Sequence, residues 1–90
     1  MTFTLETTAF FDRQFKKLNI SLQAQITAYL LKNVDGVTNP RVSGKALTGD
    51  LAGLWRYRIG DYRIICDIQD ARLIVLALEV GHRRDIYKKR

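Results

Sequence analysis

Two segments of alternating residues flank a turn in the C-terminal half of the chain. Leu54–Ile59 alternates apolar with basic side chains, and Tyr62–Ile68 alternates again after Gly60-Asp61. Gly-Asp between two such segments is typical of a two-residue β-hairpin turn. The sequence therefore predicts a hairpin with one apolar and one basic face.

The basic face of this hairpin could bind phosphate. A two-residue turn fixes the register, so Arg58 is expected directly opposite Arg63, with Arg56 on the same face. Like charges placed opposite each other repel, whereas guanidinium groups match phosphate oxygens in bidentate geometry. One interpretation is a phosphate site. The other is that the arginines extend into solvent or pair with Asp67.

The C-terminal segment adds further groups. Gly81 is expected to end a strand, which would leave His82 and Tyr87 near the sheet edge. His82 is a candidate general base, because imidazole titrates near neutrality, or a structural hydrogen-bonding residue. Tyr87 could stack on a base or pack on the core. Five cations follow in eight residues: Arg83, Arg84, Lys88, Lys89 and Arg90.

Composition narrows the classes of function. Fifteen Lys and Arg against nine Asp and Glu give a net charge of +6. Such an excess favours a nucleic acid, an anionic membrane surface or an acidic protein as partner, or marks a merely soluble basic protein. The chain has one cysteine and one histidine, scattered carboxylates and no glycine-rich phosphate loop. No metal or cofactor is therefore expected.

The cellular location is predicted from three features that the sequence lacks. The lone Cys66 excludes an intrachain disulfide. The N-terminus does not resemble a signal peptide, and the longest apolar run, Leu73–Leu78, is too short to cross a bilayer. A soluble, cytoplasmic protein with no membrane partner is expected.

The remaining elements follow from hydrophobic periodicity. We expect a short strand over Thr2–Glu6 and an amphipathic helix over Ala9–Leu18 capped by Thr7 or Thr8. A second helix, capped by Asn19 or Ser21, should run to about Val34 and form an antiparallel hairpin with the first. Two further segments complete the chain: a loop over Val37–Gly53 with room for one helical turn, and a central strand over Arg72–Val80.

These elements predict an α+β fold in a single domain, residues 1–90. An N-terminal strand and a helical hairpin precede a three-stranded antiparallel meander, and all strands form one sheet. The helices should cover one face of this sheet, and the basic residues should line the other.

Four motifs in this order resemble the RelE/ParE toxin superfamily, and the RelE branch in particular. The resemblance covers nearly the whole chain. The motifs are F-x-R-x-x-K-K-L (Phe11–Leu18), N-P-R…K-x-L-x-G (Asn39–Gly49), L-W-R-Y-R-I-G-D-Y-R-I-I (Leu54–Ile65) and V-G-H-R-R-D-I-Y (Val80–Tyr87).

The resemblance implies the toxin of a type II toxin–antitoxin pair that cleaves messenger RNA in the ribosomal A site without a metal. It implies that Arg63 clamps the scissile phosphate, that Arg83 stabilises charge near the leaving oxygen, and that Tyr87 orients the nucleotide. Catalytic roles are thus expected for Arg58, Arg63, Arg83 and Tyr87, and His82 is a further catalytic candidate as the hypothetical base. RNA-binding roles are expected for Arg56, Lys45, Arg84, Lys88 and Lys89.

The chain departs from the best-known RelE pattern at Arg56 and Arg58, where that pattern has lysines. Arginine is not deprotonated in proteins, so neither residue can act as a general base. Two alternatives to a ribonuclease remain: a ParE-like inhibitor of DNA gyrase, and a non-catalytic nucleic-acid-binding module. In each case an acidic, RelB-like antitoxin is the expected partner.

Overall fold

The computed structural model describes residues 1–87, and within them two helices pack on a five-stranded sheet. In chain order the elements are β1 (Thr4–Thr7), α1 (Ala9–Lys16), α2 (Ile20–Asn33), β2 (Lys45–Ala46), β3 (Trp55–Ile59), β4 (Tyr62–Gln69) and β5 (Ile74–His82). Single 3₁₀ turns precede β3 and β5, at Gly49–Leu51 and Asp70–Arg72.

The sheet has the strand order β1-β5-β4-β3-β2. β1 pairs in parallel with β5, and every other neighbouring pair is antiparallel. The sheet is therefore mixed, and the predicted α+β fold with a β3–β4–β5 meander is confirmed. β5 lies between β1 and β4, which explains why its sequence is almost continuously apolar.

The two helices begin at the predicted caps. The side-chain oxygens of Thr8 and Asn19 accept hydrogen bonds from the backbone amides of Phe11 and Leu22, at 3.0 and 2.8 Å. In α2, the Gln23 amide nitrogen donates to the carbonyls of Phe15 and Leu18 at the end of α1 and so closes the hairpin. Neither helix in residues 1–87 has the length and apolar character needed to cross a membrane.

The core lies between the helices and the sheet. α1 packs against β5 and α2 against β3. The apolar side chains of alternating strand positions meet the buried helix residues here: Phe11, Ile26, Leu30, Tyr57, Ile64, Cys66, Val75, Ala77 and Val80.

A β-bulge in β5 reverses the alternation of faces in its second half. Ile65 pairs with Glu79 whereas Cys66 pairs with Ala77, so Leu78 is an extra residue. Val80 therefore returns to the helix-covered face and Glu79 lies on the other face. The expectation that Gly81 ends the strand is wrong. Pairing continues to His82, and the Arg83 amide donates to the Asp61 carbonyl at 2.7 Å.

The segment predicted as a loop contains a short edge strand. Lys45–Ala46 pairs with β3, and its position is fixed by the indole nitrogen of Trp55, which donates to the Ser43 carbonyl at 2.9 Å. Gly44, at a φ of +87°, passes so close to β3 that a Cβ would collide with the Arg56 carbonyl and the Trp55 indole. Two residues are too few for the alternation that reveals a strand in sequence.

Candidate functional site: an arginine cluster on the open face of the sheet

The predicted hairpin register is confirmed. Arg58 pairs with Arg63 and Arg56 pairs with Ile65, while Lys45 on the edge strand pairs with Arg56. Successive strand residues point to opposite faces. Because Tyr57 and Ile64 belong to the core under the helices, the arginines lie on the opposite face, which the helices leave open.

Arg63 lies at the centre of this arginine cluster. Its Nη1 donates to the carbonyls of Gly60 and Tyr62, at 2.9 and 3.0 Å, which holds the guanidinium beside the turn. Burial lowers the pKa of Arg63, and the positive charges of Arg56, Arg58 and Arg83 lower it further, against an opposing effect of Tyr87.

The segment after β5 brings Arg83 and Tyr87 to the cluster. The Arg83 amide continues the backbone hydrogen bonding beyond β5 by donating to the Asp61 carbonyl. The Nε of Arg83 lies 3.6 Å from the Asp61 carboxylate, and the side chain is 59% exposed. Opposite Arg63 stands Gly81, which has no side chain. Ile86 fills that space, 3.6 Å from where a Gly81 Cβ would lie, and is itself buried. The next residue, Tyr87, is 38% exposed.

Three of the four arginines of the cluster form no ion pair within residues 1–87. Among residues 1–87, the ion pairs are Arg41–Asp70 and Arg83–Asp61, and neither involves Arg56, Arg58 or Arg63. The ion pair with Asp67 that was the alternative for these arginines does not form. Asp67 instead accepts a hydrogen bond from the Gln69 side chain. Within the same part of the chain, Nε of Arg56 is a buried nitrogen without an acceptor, which is costly unless a bound group supplies one.

Glu79 is a residue of this face that the sequence did not reveal. It is only 8% exposed and lies opposite Ile65, in the same row across the sheet as Arg56. Plain alternation from Val75 would have placed it under the helices, and only the bulge at Leu78 moves it to the open face. The available signal was an acidic residue inside an otherwise apolar strand.

His82 does not join the cluster, and its predicted role as the general base loses its geometric basis. Its ring meets the Tyr62 ring edge-on, with centroids 5.4 Å apart. Tyr62 packs against the core on the helix-covered side. Because the bulge places His82 on this side, the sheet separates the imidazole from Arg58 and Arg63.

The remaining predicted residues fall into two groups. Lys45 is exposed beside Arg56, and Arg84 is exposed just beyond Arg83. Lys88 and Lys89 lie outside the described residues.

Comparisons with known proteins agree on one family. A model described as the ParE toxin of the type II toxin–antitoxin system parDE matches residues 5–87. Toxin RelG of Mycobacterium tuberculosis is 32% identical over 89 residues, which cover 99% of this chain and 100% of RelG.

Solved structures show the same fold. A chain of the RelBE2 toxin–antitoxin complex from Mycobacterium tuberculosis superimposes with a TM-score of 0.83 at 29% identity, covering 94% of this chain and 95% of that one. The isolated E. coli RelE toxin superimposes with a TM-score of 0.74 at 18% identity, covering 98% and 94%. The chain therefore belongs to the ParE toxin family, within the RelE/ParE superfamily of type II toxin–antitoxin toxins.

Proposed function

We propose that this toxin is a ribosome-dependent endoribonuclease that cleaves messenger RNA in the ribosomal A site without a metal. In this reaction the ribose 2′-oxygen attacks the adjacent phosphorus and the bond from phosphorus to the 5′-oxygen breaks. The 2′-hydroxyl loses its proton and the 5′-oxygen gains one. The products are a cyclic phosphate and a free 5′-hydroxyl.

The observation that supports this proposal is the placement of Arg56, Arg58 and Arg63 together on the open face of the hairpin. Arg83 and Tyr87 lie in the segment that turns back over Gly81, opposite Arg63. Four guanidinium groups, three of which form no ion pair with a carboxylate of residues 1–87, favour a site that takes up negative charge. A phosphodiester gains charge on the way to its pentacovalent transition state, so fixed cations bind that state better than the substrate. Loss of one such group typically lowers a rate by about 100- to 1,000-fold.

Each residue of the predicted site has a proposed role. Arg63, fixed by the two turn carbonyls, would bind the scissile phosphate, with Arg58 opposite it. Arg83, which follows β5 and pairs with Asp61, would stabilise the leaving oxygen, and the half-exposed Tyr87 would stack on the nucleotide. Lys45, Arg56, Arg84, Lys88 and Lys89 would bind flanking RNA phosphates.

The arginines would act through charge rather than by proton transfer. Guanidinium groups are not deprotonated, and His82 lies on the other side of the sheet. We therefore assign acceptance of the 2′-hydroxyl proton to the substrate–ribosome complex rather than to these side chains. A dependence of cleavage on ribosomes is the direct consequence.

The test is primer extension on messenger RNA in a purified translation system, with and without the toxin. We expect cuts within codons that require ribosomes, and a fall of about 100- to 1,000-fold with Arg63→Ala. Arg72→Ala is the matched control, because Arg72 is an exposed arginine whose bond is to Gln69, away from the cluster. Intact messenger with the wild-type toxin bound to it would instead indicate a non-catalytic nucleic-acid-binding module.

An acidic, RelB-like antitoxin is the proposed partner, and a cytoplasmic location follows from the ribosomal target. A groove between β1 and the helical hairpin is lined mainly by apolar side chains, together with three polar ones: Leu5, Phe11, Phe15, Leu30 and Leu31, with Thr7, Asp12 and Thr27. Leu31 at its rim is 61% exposed. An amphipathic acidic segment suits an apolar groove on a chain with a net charge of +6. Leu31→Asp should therefore weaken antitoxin binding, measured by calorimetry, without lowering cleavage by the free toxin.

Inhibition of DNA gyrase is the second candidate, because the matching family model is named for ParE toxins. A gyrase inhibitor does not need a phosphate-binding cluster on the sheet. Trapped DNA breaks in a gyrase cleavage assay, unchanged by Arg63→Ala, would favour this function over the ribonuclease.

A further inference from the structure

His82 binds the backbone of the segment that follows β5. Its Nδ1 accepts a hydrogen bond from the Arg84 amide at 3.1 Å. Its carbonyl accepts from the amides of Asp85 and Ile86, at 2.8 and 3.0 Å. Three successive backbone amides are thus bonded to one residue, and the Tyr62 ring supports the imidazole from the side at 5.4 Å.

These bonds turn the chain back over the open face of the sheet. The turn places Ile86 over Gly81, where it is 5% exposed. Arg83 and Tyr87 flank the turn, which lies over Gly81 directly opposite Arg63. The C-terminal half of the arginine cluster therefore depends on a turn that His82 organises from the opposite side of the sheet.

We propose that His82 is a positioning residue, whose Nδ1 acceptor sets the turn that holds Arg83 and Tyr87 against Arg63. The bond from the Arg84 amide requires a lone pair on Nδ1, so the neutral ring carries its proton on Nε2. His82 touches neither the substrate nor the reacting atoms. The effect on cleavage rests on the proposed ribonuclease function, whereas the effect on the turn does not.

Three substitutions separate this role from general-base catalysis and from simple packing. His82→Asn keeps an acceptor at the same number of bonds from Cα as Nδ1. His82→Gln moves the acceptor one bond further along the side chain. His82→Phe keeps an aromatic ring against Tyr62 but has no acceptor.

The first measurement is amide hydrogen exchange at residues 84–86 in the full-length toxin. We expect protection of the Arg84 amide in the wild type and in His82→Asn, and its loss in His82→Gln and His82→Phe. Thermal unfolding of each variant shows whether it is folded. If His82→Phe does not fold, the comparison of His82→Asn with His82→Gln, two amides of similar polarity, still tests the proposal. Equal exchange rates in these two variants would overturn it.

The second measurement is cleavage of ribosome-bound messenger by the same variants. A misplaced catalytic group lowers the reaction rate on the order of 100-fold, so His82→Gln should lower kcat by about that factor. The kcat of His82→Asn should stay within about threefold of the wild-type value. The losses in His82→Gln and Tyr87→Ala should not add in the double variant, because one acts through the other.

The outcomes distinguish this inference from the proposed function. A general base would lose activity with His82→Asn as well, and that result would overturn the positioning role. Cleavage by His82→Gln at the wild-type rate would overturn it while leaving the ribonuclease proposal intact. A wild-type toxin that does not cut ribosome-bound messenger would overturn the ribonuclease proposal, while the exchange pattern would still support the role of His82 in the turn.

Discussion

The two faces of the β3–β4 hairpin differ although they share one backbone and one register. On the helix-covered face, Tyr57 pairs with Ile64, and both are fully buried. On the open face, Arg58 pairs with Arg63 at the next position, and no carboxylate among residues 1–87 forms an ion pair with either. The first pair stabilises the fold, whereas the second repels. A negatively charged molecule bound between Arg58 and Arg63 would remove this repulsion.

The contrast is not uniform along the open face. Ile65 and Ile86 are buried there, beside the nearly buried Glu79. This apolar strip forms because Gly81 leaves room for Ile86. The open face thus combines a packed apolar strip, which fixes the C-terminal segment, with Arg56, Arg58 and Arg63, which form no ion pair within residues 1–87.

The largest effect on the fold should come from the helix-covered face. Ile64→Ala removes a fully buried side chain from the core and should lower the free energy of unfolding by about 2–5 kcal/mol. Urea unfolding measures this loss. The control is Ile20→Ala, because Ile20 is 83% exposed on α2 and the same change there should be nearly neutral. Similar losses in both variants would show that the helices do not bury this face of β4.

A smaller loss is expected where β3 holds the preceding loop. The Tyr57 hydroxyl donates to the Pro40 carbonyl at 2.6 Å, and burial raises the pKa of Tyr57. Tyr57→Phe leaves that carbonyl without its donor and should cost about 1–3 kcal/mol. Urea unfolding measures this cost. The control is Tyr29→Phe, because the ring of Tyr29 is partly buried and meets the Tyr57 ring edge-on. Equal small losses in both variants would contradict a stabilising role for the buried hydroxyl.

The hairpin could be predicted from sequence because its signals are local. A two-residue turn and strict alternation fix which side chains meet, and the predicted pair Arg58–Arg63 is confirmed. The positions of His82 and Glu79 could not be predicted, since one extra residue at Leu78 moves each of them to the other face. A bulge depends on pairing with a distant strand and leaves no periodic signal in the sequence.

The loop before β3 shows the same limit. The strand Lys45–Ala46 forms because Trp55 and Tyr57 bind the carbonyls of Ser43 and Pro40. These contacts join residues 12 and 17 positions apart. Periodicity within the loop therefore could not reveal that Lys45 lies beside Arg56.

On the open face, stability and binding should change in opposite directions. Arg58→Gln removes one of two opposed like charges and should raise the free energy of unfolding by about 0.2–1 kcal/mol. The same variant should bind single-stranded RNA more weakly, with the slope of log affinity against log salt reduced by about 0.7 for one lost phosphate contact. Urea unfolding and fluorescence titrations at several salt concentrations measure the two effects. A variant both less stable and unchanged in salt dependence would contradict the assignment of Arg58 to an anion site.

The smallest effect should come from the ion pair that ties the loop to the turn before β5. Arg41 binds both carboxylate oxygens of Asp70 at 2.8 Å, and the hydrogen bond from Arg41 lowers the pKa of Asp70 below its ordinary value of 3.8. A carboxyl whose pKa is lower in the folded state stabilises the fold above its unfolded pKa, and the stabilisation disappears as the pH falls through the folded value. The wild type should therefore have a slightly higher Tm than Asp70→Asn at neutral pH, and this difference in Tm should disappear below about pH 3.8. Thermal unfolding at intervals from pH 7 to pH 2 measures this, with Asp50→Asn as the exposed control. A difference that persists in acid would mean that the loop is held by the contacts of Tyr57 and Trp55 and not by the charge on Asp70.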